Sequence, residues 1–126
     1  MRVVDSSIWI EWLIDTPLGR RAAAQLPENG QWIVPTVVQY ELARWIAREL
    51  SPKTAAETIG FTNQLIVRPL DTDIATKAAD YAARYRLALA DAVIYATAMD
   101  LGADLLTCDA HFKGLPGVVY LAKTGP

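Results

Sequence analysis

The sequence is poor in the residues that build disulfides and histidine-based catalytic sites. Cys108 is the one cysteine and His111 the one histidine among 126 residues. A single cysteine excludes a disulfide within the chain and suits a reducing compartment, so we expect a cytoplasmic protein. Any serine–histidine–aspartate or cysteine–histidine catalytic arrangement would have to be built on His111.

The chain also lacks a long apolar run and an excess of positive charge. No stretch of about 18 apolar residues occurs, so no membrane span is predicted. Asp5 and Glu11 interrupt the N-terminal segment too early for a signal peptide. The net charge of −2 argues against nucleic-acid binding by overall charge alone. Three arginine pairs have two interpretations each, a local basic strip or a solvated helix face. The pairs are Arg20 and Arg21, Arg44 and Arg48, and Arg84 and Arg86.

What is present is the composition of an ordinary globular protein, with 52% hydrophobic and 21% charged residues. The length suits one domain spanning residues 1–126, without a linker or repeat. Short apolar runs alternate with segments of helical periodicity, which predicts an α/β protein with a buried parallel sheet. The predicted strands are 1–5, 31–34, 65–70, 103–107 and 117–122, and the predicted helices are 6–14, 16–26, 36–50, 51–60, 71–87 and 86–100.

Capping residues indicate where several helices begin and end. Ser6 or Ser7 would cap the first helix, and Asp71 the fifth. The Thr-Pro pair at Thr16 is typical of a helix start. Gly60 would end the fourth helix.

Four acids occur where acids are usually scarce. Asp5 ends the first predicted strand, and Asp109 follows the strand "DLLT". Glu41 and Asp91 lie among apolar residues of two helices. In an open parallel sheet, ligands bind beyond the carboxyl ends of the strands, which is where Asp5 and Asp109 would project.

Each acid also has a purely structural interpretation. Asp5 and Asp91 would serve as helix caps, and Asp109 would begin a turn. Glu41 would pair with Arg44 or with the indole N–H of Trp45. Taken separately these interpretations are ordinary, but four in one chain favour a shared site.

Four acids in one site would need a cation or retained protons. Two close carboxylates repel each other by about 4 kcal/mol at an effective dielectric constant of about 20. Without a cysteine or an evident histidine in the set, the ion would be a hard one, Mg²⁺ or Mn²⁺. The chemistry that suits such a site is attack of a metal-activated water on a phosphodiester.

Hydroxyl groups lie beside these acids in the sequence. Ser6 and Ser7 follow Asp5, and Thr107 precedes Asp109 by two residues. These hydroxyls would orient a carboxylate or a water, unless the serines only cap a helix and the threonine is ordinary strand. The spacing of His111 suggests a metal ligand, although an exposed turn residue is the simpler interpretation.

Aromatic side chains have two interpretations as well. Trp9, Trp12, Trp32 and Tyr40 are predicted to lie in the core or in a subunit interface, with base stacking as the alternative. Cys108 is interpreted as a small residue filling the core after a strand.

The motifs "VVDSSIWIEW", "PTVVQYELARW" and "LALADAVIYATAMDLGADLLTCDAHF" resemble a PIN-domain ribonuclease, specifically a VapC toxin of a type II toxin–antitoxin pair. The resemblance spans nearly the whole chain. It implies a PIN-like three-layer α/β/α sandwich with a central parallel sheet. It further implies an endoribonuclease that uses Mg²⁺ or Mn²⁺ to cut tRNA or ribosomal RNA.

The resemblance also assigns roles. Asp5, Glu41, Asp91 and Asp109 would be the catalytic and metal-binding acids, with Asp5 and Asp91 as direct ligands and Ser7 and Thr107 in support. Implied partners are the RNA substrate, a VapB-like antitoxin and a second copy in a homodimer, without a membrane. The sequence departs from the family before Asp91, where the usual Ser or Pro is missing.

Two alternative functions remain at the level of sequence. One is a catalytically inactive PIN-like interaction module, whose acids are caps and surface charges. The other is a receiver-like phosphoacceptor, which also groups acids at a sheet edge and would need a lysine beyond its last strand. Lys123 is a weak match to that lysine.

Overall fold

The structure is a computed structural model that describes residues 1–123. Within these residues the chain forms one sheet of five strands, all of them paired in parallel. Six helices accompany the sheet, as predicted for an α/β/α sandwich. The strands are β1 (Arg2–Val4), β2 (Trp32–Pro35), β3 (Ile66–Arg68), β4 (Asp104–Thr107) and β5 (Val118–Tyr120).

The order of the strands across the sheet is β3-β2-β1-β4-β5. Strands β2 and β3 lie on one side of β1, and strands β4 and β5 lie on the other side. The order therefore switches between β1 and β4, and ligands of open parallel sheets bind in the crevice beyond such a switch. A receiver-like sheet has the order 2-1-3-4-5, so that alternative is wrong for this fold.

The helices connect successive strands and follow the predicted succession. They are α1 (Ser6–Leu13), α2 (Pro17–Ala23), α3 (Thr36–Glu49), α4 (Pro52–Thr62), α5 (Thr72–Tyr85) and α6 (Leu89–Asp100). A single 3₁₀ turn at Ala110–Phe112 follows β4, where the sequence predicts a turn.

The helix ends confirm some predictions and correct others. Thr16 and Asp71 cap α2 and α5 with their side chains, as expected. The prediction that a serine caps α1 is wrong, because Asp5 occupies the cap position and Ser6 is already helical. Gly60 does not end α4, which continues for two residues to Thr62.

The core lies on both faces of the central strands. Val3, Val4, Ile33, Leu105 and Leu106 have no exposed surface, as expected for parallel strands covered on two sides. The aromatic prediction is confirmed in part: Trp9 and Trp32 are buried with their ring centroids 4.7 Å apart, whereas Tyr40 is 62% exposed. Cys108 is buried, in agreement with a core-filling role.

None of the helices in residues 1–123 is long and apolar enough to cross a bilayer.

Candidate active site

Asp5 lies at the carboxyl end of β1, directly at the switch in strand order. Its residue is 3% exposed, and its Oδ2 accepts hydrogen bonds from Ser7 Oγ at 2.6 Å and Thr107 Oγ1 at 2.8 Å. Thr107 ends the neighbouring strand β4. The side chain of Asp5 makes no capping bond to α1. Its structural interpretation as a capping side chain is therefore wrong.

The environment of Asp5 disfavours its charged form. Burial is the largest cause that raises the pKa of Asp5 to about 6; the charges of Asp91 and Glu41 contribute to the increase, and the Ser7 and Thr107 hydroxyls act against it. A perturbed carboxylate in a cleft is typical of a functional site.

Glu41 reaches the same place from α3. Ser6 Oγ donates a hydrogen bond to Glu41 Oε1 at 3.0 Å, which ties the start of α1 to α3. Among residues 1–123 no ion pair joins Glu41 to Arg44 and no hydrogen bond joins it to the indole N–H of Trp45, so both predicted structural pairings are wrong. Burial raises the pKa of Glu41, and repulsion by Asp91 and Asp109 adds to the increase.

Asp91 lies in the first turn of α6, and its side chain is 17% exposed. Ala88 holds the cap position, so Asp91 is not the N-cap that its structural interpretation required. Burial raises the pKa of Asp91, and so does the charge of Asp109, while His111 partly offsets both effects.

Asp109 follows β4 and does two things at once. Its Oδ1 accepts the backbone N–H of His111 at 2.9 Å, so the predicted turn-starting role is confirmed. The same side chain lies 3.3 Å from His111 Nδ1, and that nitrogen lies 3.3 Å from Asp91 Oδ2. Ligand atoms of Asp91, Asp109 and His111 lie within 4.8 Å of one another, close enough to hold one metal ion.

His111 is the residue that the sequence alone undervalues. Its side chain is 75% exposed, as an ordinary turn residue would be, yet its ring contacts two of the four acids. The signal was its two-residue spacing from Asp109 on a tight turn. The contact with Asp91 depends on where α6 begins and could not be read from that spacing.

All four predicted acids line one open cavity of about 340 Å³, together with Ser6, Ser7, Lys123 and a further acid, Glu11, that the sequence analysis does not assign to the site. Thr107 stands behind Asp5, fully buried. The structure thus brings the six predicted site residues to one place. Their catalytic and metal-binding roles stay predictions.

These features define an α/β protein with a parallel sheet whose acids gather at the switch in strand order, which is where open sheets of this kind bind ligands. The PIN domain family matches residues 2–118, so the chain belongs to that family. This confirms the resemblance seen in the sequence. None of the curated protein sequences compared with the chain matches it.

Solved structures with the same fold include several toxin–antitoxin proteins. A chain of a toxin–antitoxin complex from Klebsiella pneumoniae superposes with a TM-score of 0.81 at 23% identity, over 94% of this chain and 96% of that one. VapC20 of Mycobacterium tuberculosis, described as a toxin that cleaves the sarcin–ricin loop, has a TM-score of 0.75 at 18% identity, over 94% and 97%. The FitAcB structure from Neisseria gonorrhoeae has a TM-score of 0.71 at 23% identity, over 96% and 97%.

Proposed function

We propose that the protein is a metal-dependent endoribonuclease that acts as the toxin of a type II toxin–antitoxin pair. The observation that carries the proposal is the acid cavity, in which the four predicted carboxylates lie together with Glu11. Among the described residues none of the four is paired with a lysine or arginine. Membership of the PIN domain family and the toxin–antitoxin proteins among the structural neighbours support the same function.

The residues fit a hard divalent ion. Carboxylate oxygens are the ligands that Mg²⁺ and Mn²⁺ prefer. Both hydrogen bonds to Asp5 fall on Oδ2, so among residues 1–123 its Oδ1 accepts none and is available to a ligand. Asp5 and Asp91 would hold the ion directly, with Glu41 and Asp109 completing the set. When bound, the ion would lower the pKa of a water and neutralise charge on the phosphate oxygens.

The side chains of this protein would prepare the site for that chemistry. Ser7 and Thr107 fix the carboxylate of Asp5 in one orientation from two different elements, α1 and β4. Ser6 does the same for Glu41. Such supporting hydrogen bonds typically change metal affinity or activity about 10–100-fold when they are removed.

The partners follow from the same proposal. The substrate would be tRNA or ribosomal RNA, the inhibitor a VapB-like antitoxin, and the oligomer a homodimer in the cytoplasm. The neighbours described as toxin–antitoxin complexes support the antitoxin. Elution of the purified protein at twice its 13.8 kDa mass in size-exclusion chromatography with light scattering would support the dimer.

The test is cleavage of RNA by the purified protein with and without divalent metal. We expect cleavage with Mg²⁺ or Mn²⁺, none with EDTA, and loss of cleavage in Asp5→Asn. Glu57→Gln is the matched control, because Glu57 is 65% exposed on α4 and lines none of the cavities around the acids. Metal-independent cleavage, or an active and folded Asp5→Asn protein, would contradict the proposal.

The alternative, an inactive PIN-like interaction module, makes the opposite prediction. In that case the protein would not cut RNA under any metal condition, and the acids could be replaced without loss of partner binding. The cleavage assay separates the two alternatives, because only the nuclease cuts RNA with metal and loses that cleavage in Asp5→Asn but not in Glu57→Gln.

A further inference from the structure

Two basic cavities adjoin the acid cavity on different sides. The first, of about 300 Å³, shares Ser6, Ile10, Glu41 and Trp45 with it and adds Tyr40, Arg44 and Arg48. The second, of about 600 Å³, shares Ser7, Asp109 and Lys123 and adds Lys113 and Tyr120. The three cavities therefore form one continuous depression with acids in the middle and cations towards both ends.

The cations of the first side stand along α3. Arg44 and Arg48 follow Glu41 by three and seven residues, which places them about 4.5 and 10.5 Å further along the helix axis. Among residues 1–123 Arg44 has no ion pair, and Arg48 bonds only its neighbour Glu49, through Nε at 3.0 Å. Both guanidinium groups are thus available to an anion from solution.

The cations of the second side come from the segments after β4 and β5. Lys113 follows the 3₁₀ turn and lies 5.7 Å from the centre of the Tyr120 ring. Lys123 is exposed and lines both the second basic cavity and the acid cavity. Within the described residues neither lysine forms an ion pair.

We propose that a single strand of RNA lies along this depression, with phosphates on Arg44 and Arg48 at one end and on Lys113 and Lys123 at the other. The proposal rests on the nuclease function proposed above, because the bond to be cut would then lie over the acids. Tyr40, whose residue is 62% exposed beside Arg44, supplies a surface on which a base stacks.

The arrangement favours an extended polyanion over a compact ligand. The five carboxylates of the acid cavity repel a phosphate chain, and the net charge of −2 gives no general attraction. Binding must therefore come from local cations placed before and after the acids, where they hold a chain that passes through. A small phosphate would need only one of the two sides.

The test measures affinity for a fluorescent, mixed-sequence single-stranded RNA at several salt concentrations, in an Asp5→Asn background that prevents cleavage. The charge-removing pairs are Arg44→Gln with Arg48→Gln, and Lys113→Gln with Lys123→Gln. The control pair, Arg20→Gln with Lys53→Gln, removes the same charge from exposed residues that line none of the three cavities.

Counterion release predicts the size of the effect. Each phosphate contact on a single strand contributes about 0.7 to the slope of log affinity against log salt, or about fivefold in affinity at 0.1 M salt. Each charge-removing pair should therefore weaken binding about 25-fold and lower the slope by about 1.4. Tyr40→Ala should weaken binding about tenfold, with Tyr40→Phe unchanged. In the cleavage assay without the Asp5 change, KM should rise while kcat stays within a few-fold.

Each outcome decides one of the two proposals. Variants that match the control pair in affinity and slope overturn the RNA path even if the parent protein cuts RNA. An effect from only one side also overturns it, because the path requires both. A parent that binds RNA with the predicted slopes but never cuts it leaves the path standing and refutes the nuclease.

Discussion

The two aspartates at the ends of α6 have nearly equal exposure and opposite chemistry. The side chain of Asp91 in the first turn is 17% exposed, and that of Asp100 at the last residue is 15% exposed. Asp100 pairs with Lys77 and with Arg68, the latter at 3.4 Å, and the Lys77 hydrogen bond is the main reason its pKa is lowered. Burial and Asp109 instead raise the pKa of Asp91.

The dipole of α6 would by itself produce the opposite difference in pKa between Asp91 and Asp100. A helix N-terminus stabilises negative charge and a C-terminus destabilises it. On that ground alone, Asp91 would be the more acidic of the two. Burial and neighbouring charges outweigh the dipole, since Asp100 has two cations, whereas Asp91 is partly desolvated and shares its cavity with four further acids. Asp100 at the end of α6 is paired with cations, which favours a stable fold. Asp91 at the start of α6 lies among other acids, an electrostatically unfavourable arrangement that proteins keep at functional sites.

The largest expected effect is on catalysis. Asp91→Asn should lower metal-dependent RNA cleavage by more than about 100-fold, because changing a supporting residue of a metal site already costs about 10–100-fold. Asp100→Asn should stay within a few-fold of the parent in the same cleavage assay. Circular dichroism would check that both variants are folded.

A result that would break the comparison is equal loss of cleavage in the two folded variants. In that case the ends of α6 would differ in stability alone, and the acid cavity would have lost its link to activity.

The second effect concerns pH and Asp5. The pKa of Asp5 is about 6 in the folded protein and 3.8 in the unfolded chain. The free energy of unfolding therefore falls as the pH rises from about 4 to about 6, and the total loss is about 3 kcal/mol. Asp100 acts in the opposite sense, because its lowered pKa gives stability that is lost as the pH falls. Urea unfolding of metal-free parent and Asp5→Asn proteins from pH 4 to 7 should show the difference in unfolding free energy growing in favour of Asn. A constant difference would contradict the burial argument.

Much of the site could be predicted from the sequence because the acids stand at ends of elements. Asp5 and Asp109 follow apolar strands, and the carboxyl ends of parallel strands share one edge of a sheet. The alternation of strands and helices predicts a parallel sheet, so the side chains of Asp5 and Asp109 are expected at the same edge. Glu41 and Asp91 were found by a different signal, a charge among apolar helical neighbours.

What sequence could not supply depends on distances between elements. Ser6 was predicted either to cap α1 or to orient a carboxylate, and it bonds Glu41; that this carboxylate comes from α3 depends on how the two helices pack. The contact of His111 with Asp91 and the passage of the acid cavity into its basic neighbours depend on how α3, α6 and the turn after β4 pack. Periodicity and capping rules report on one element at a time.

The third effect is the response to metal. If the acid cavity holds a divalent ion, Mn²⁺ at 100 times its Kd should stabilise the parent by about 2.7 kcal/mol and raise its Tm by on the order of 10 °C. Asp91→Asn should show a smaller rise, and Asp100→Asn the same rise from a lower starting Tm. Differential scanning fluorimetry with Mn²⁺, Mg²⁺ and EDTA measures all three. A parent protein with the same Tm in every condition would count against the metal site.

The smallest effect is the stability that each aspartate gives to the metal-free protein. Asp100→Asn should lower the unfolding free energy slightly, since it weakens charged hydrogen bonds to partners that are partly exposed. Asp91→Asn should leave the unfolding free energy unchanged or raise it, because it removes repulsion. A double-mutant cycle of Asp100→Asn with Lys77→Gln isolates the pairing in urea titrations. Were Asp91→Asn the more destabilising change, the carboxylate at the start of α6 would have to serve the fold, and the difference between the two ends of the helix would no longer point to a functional site.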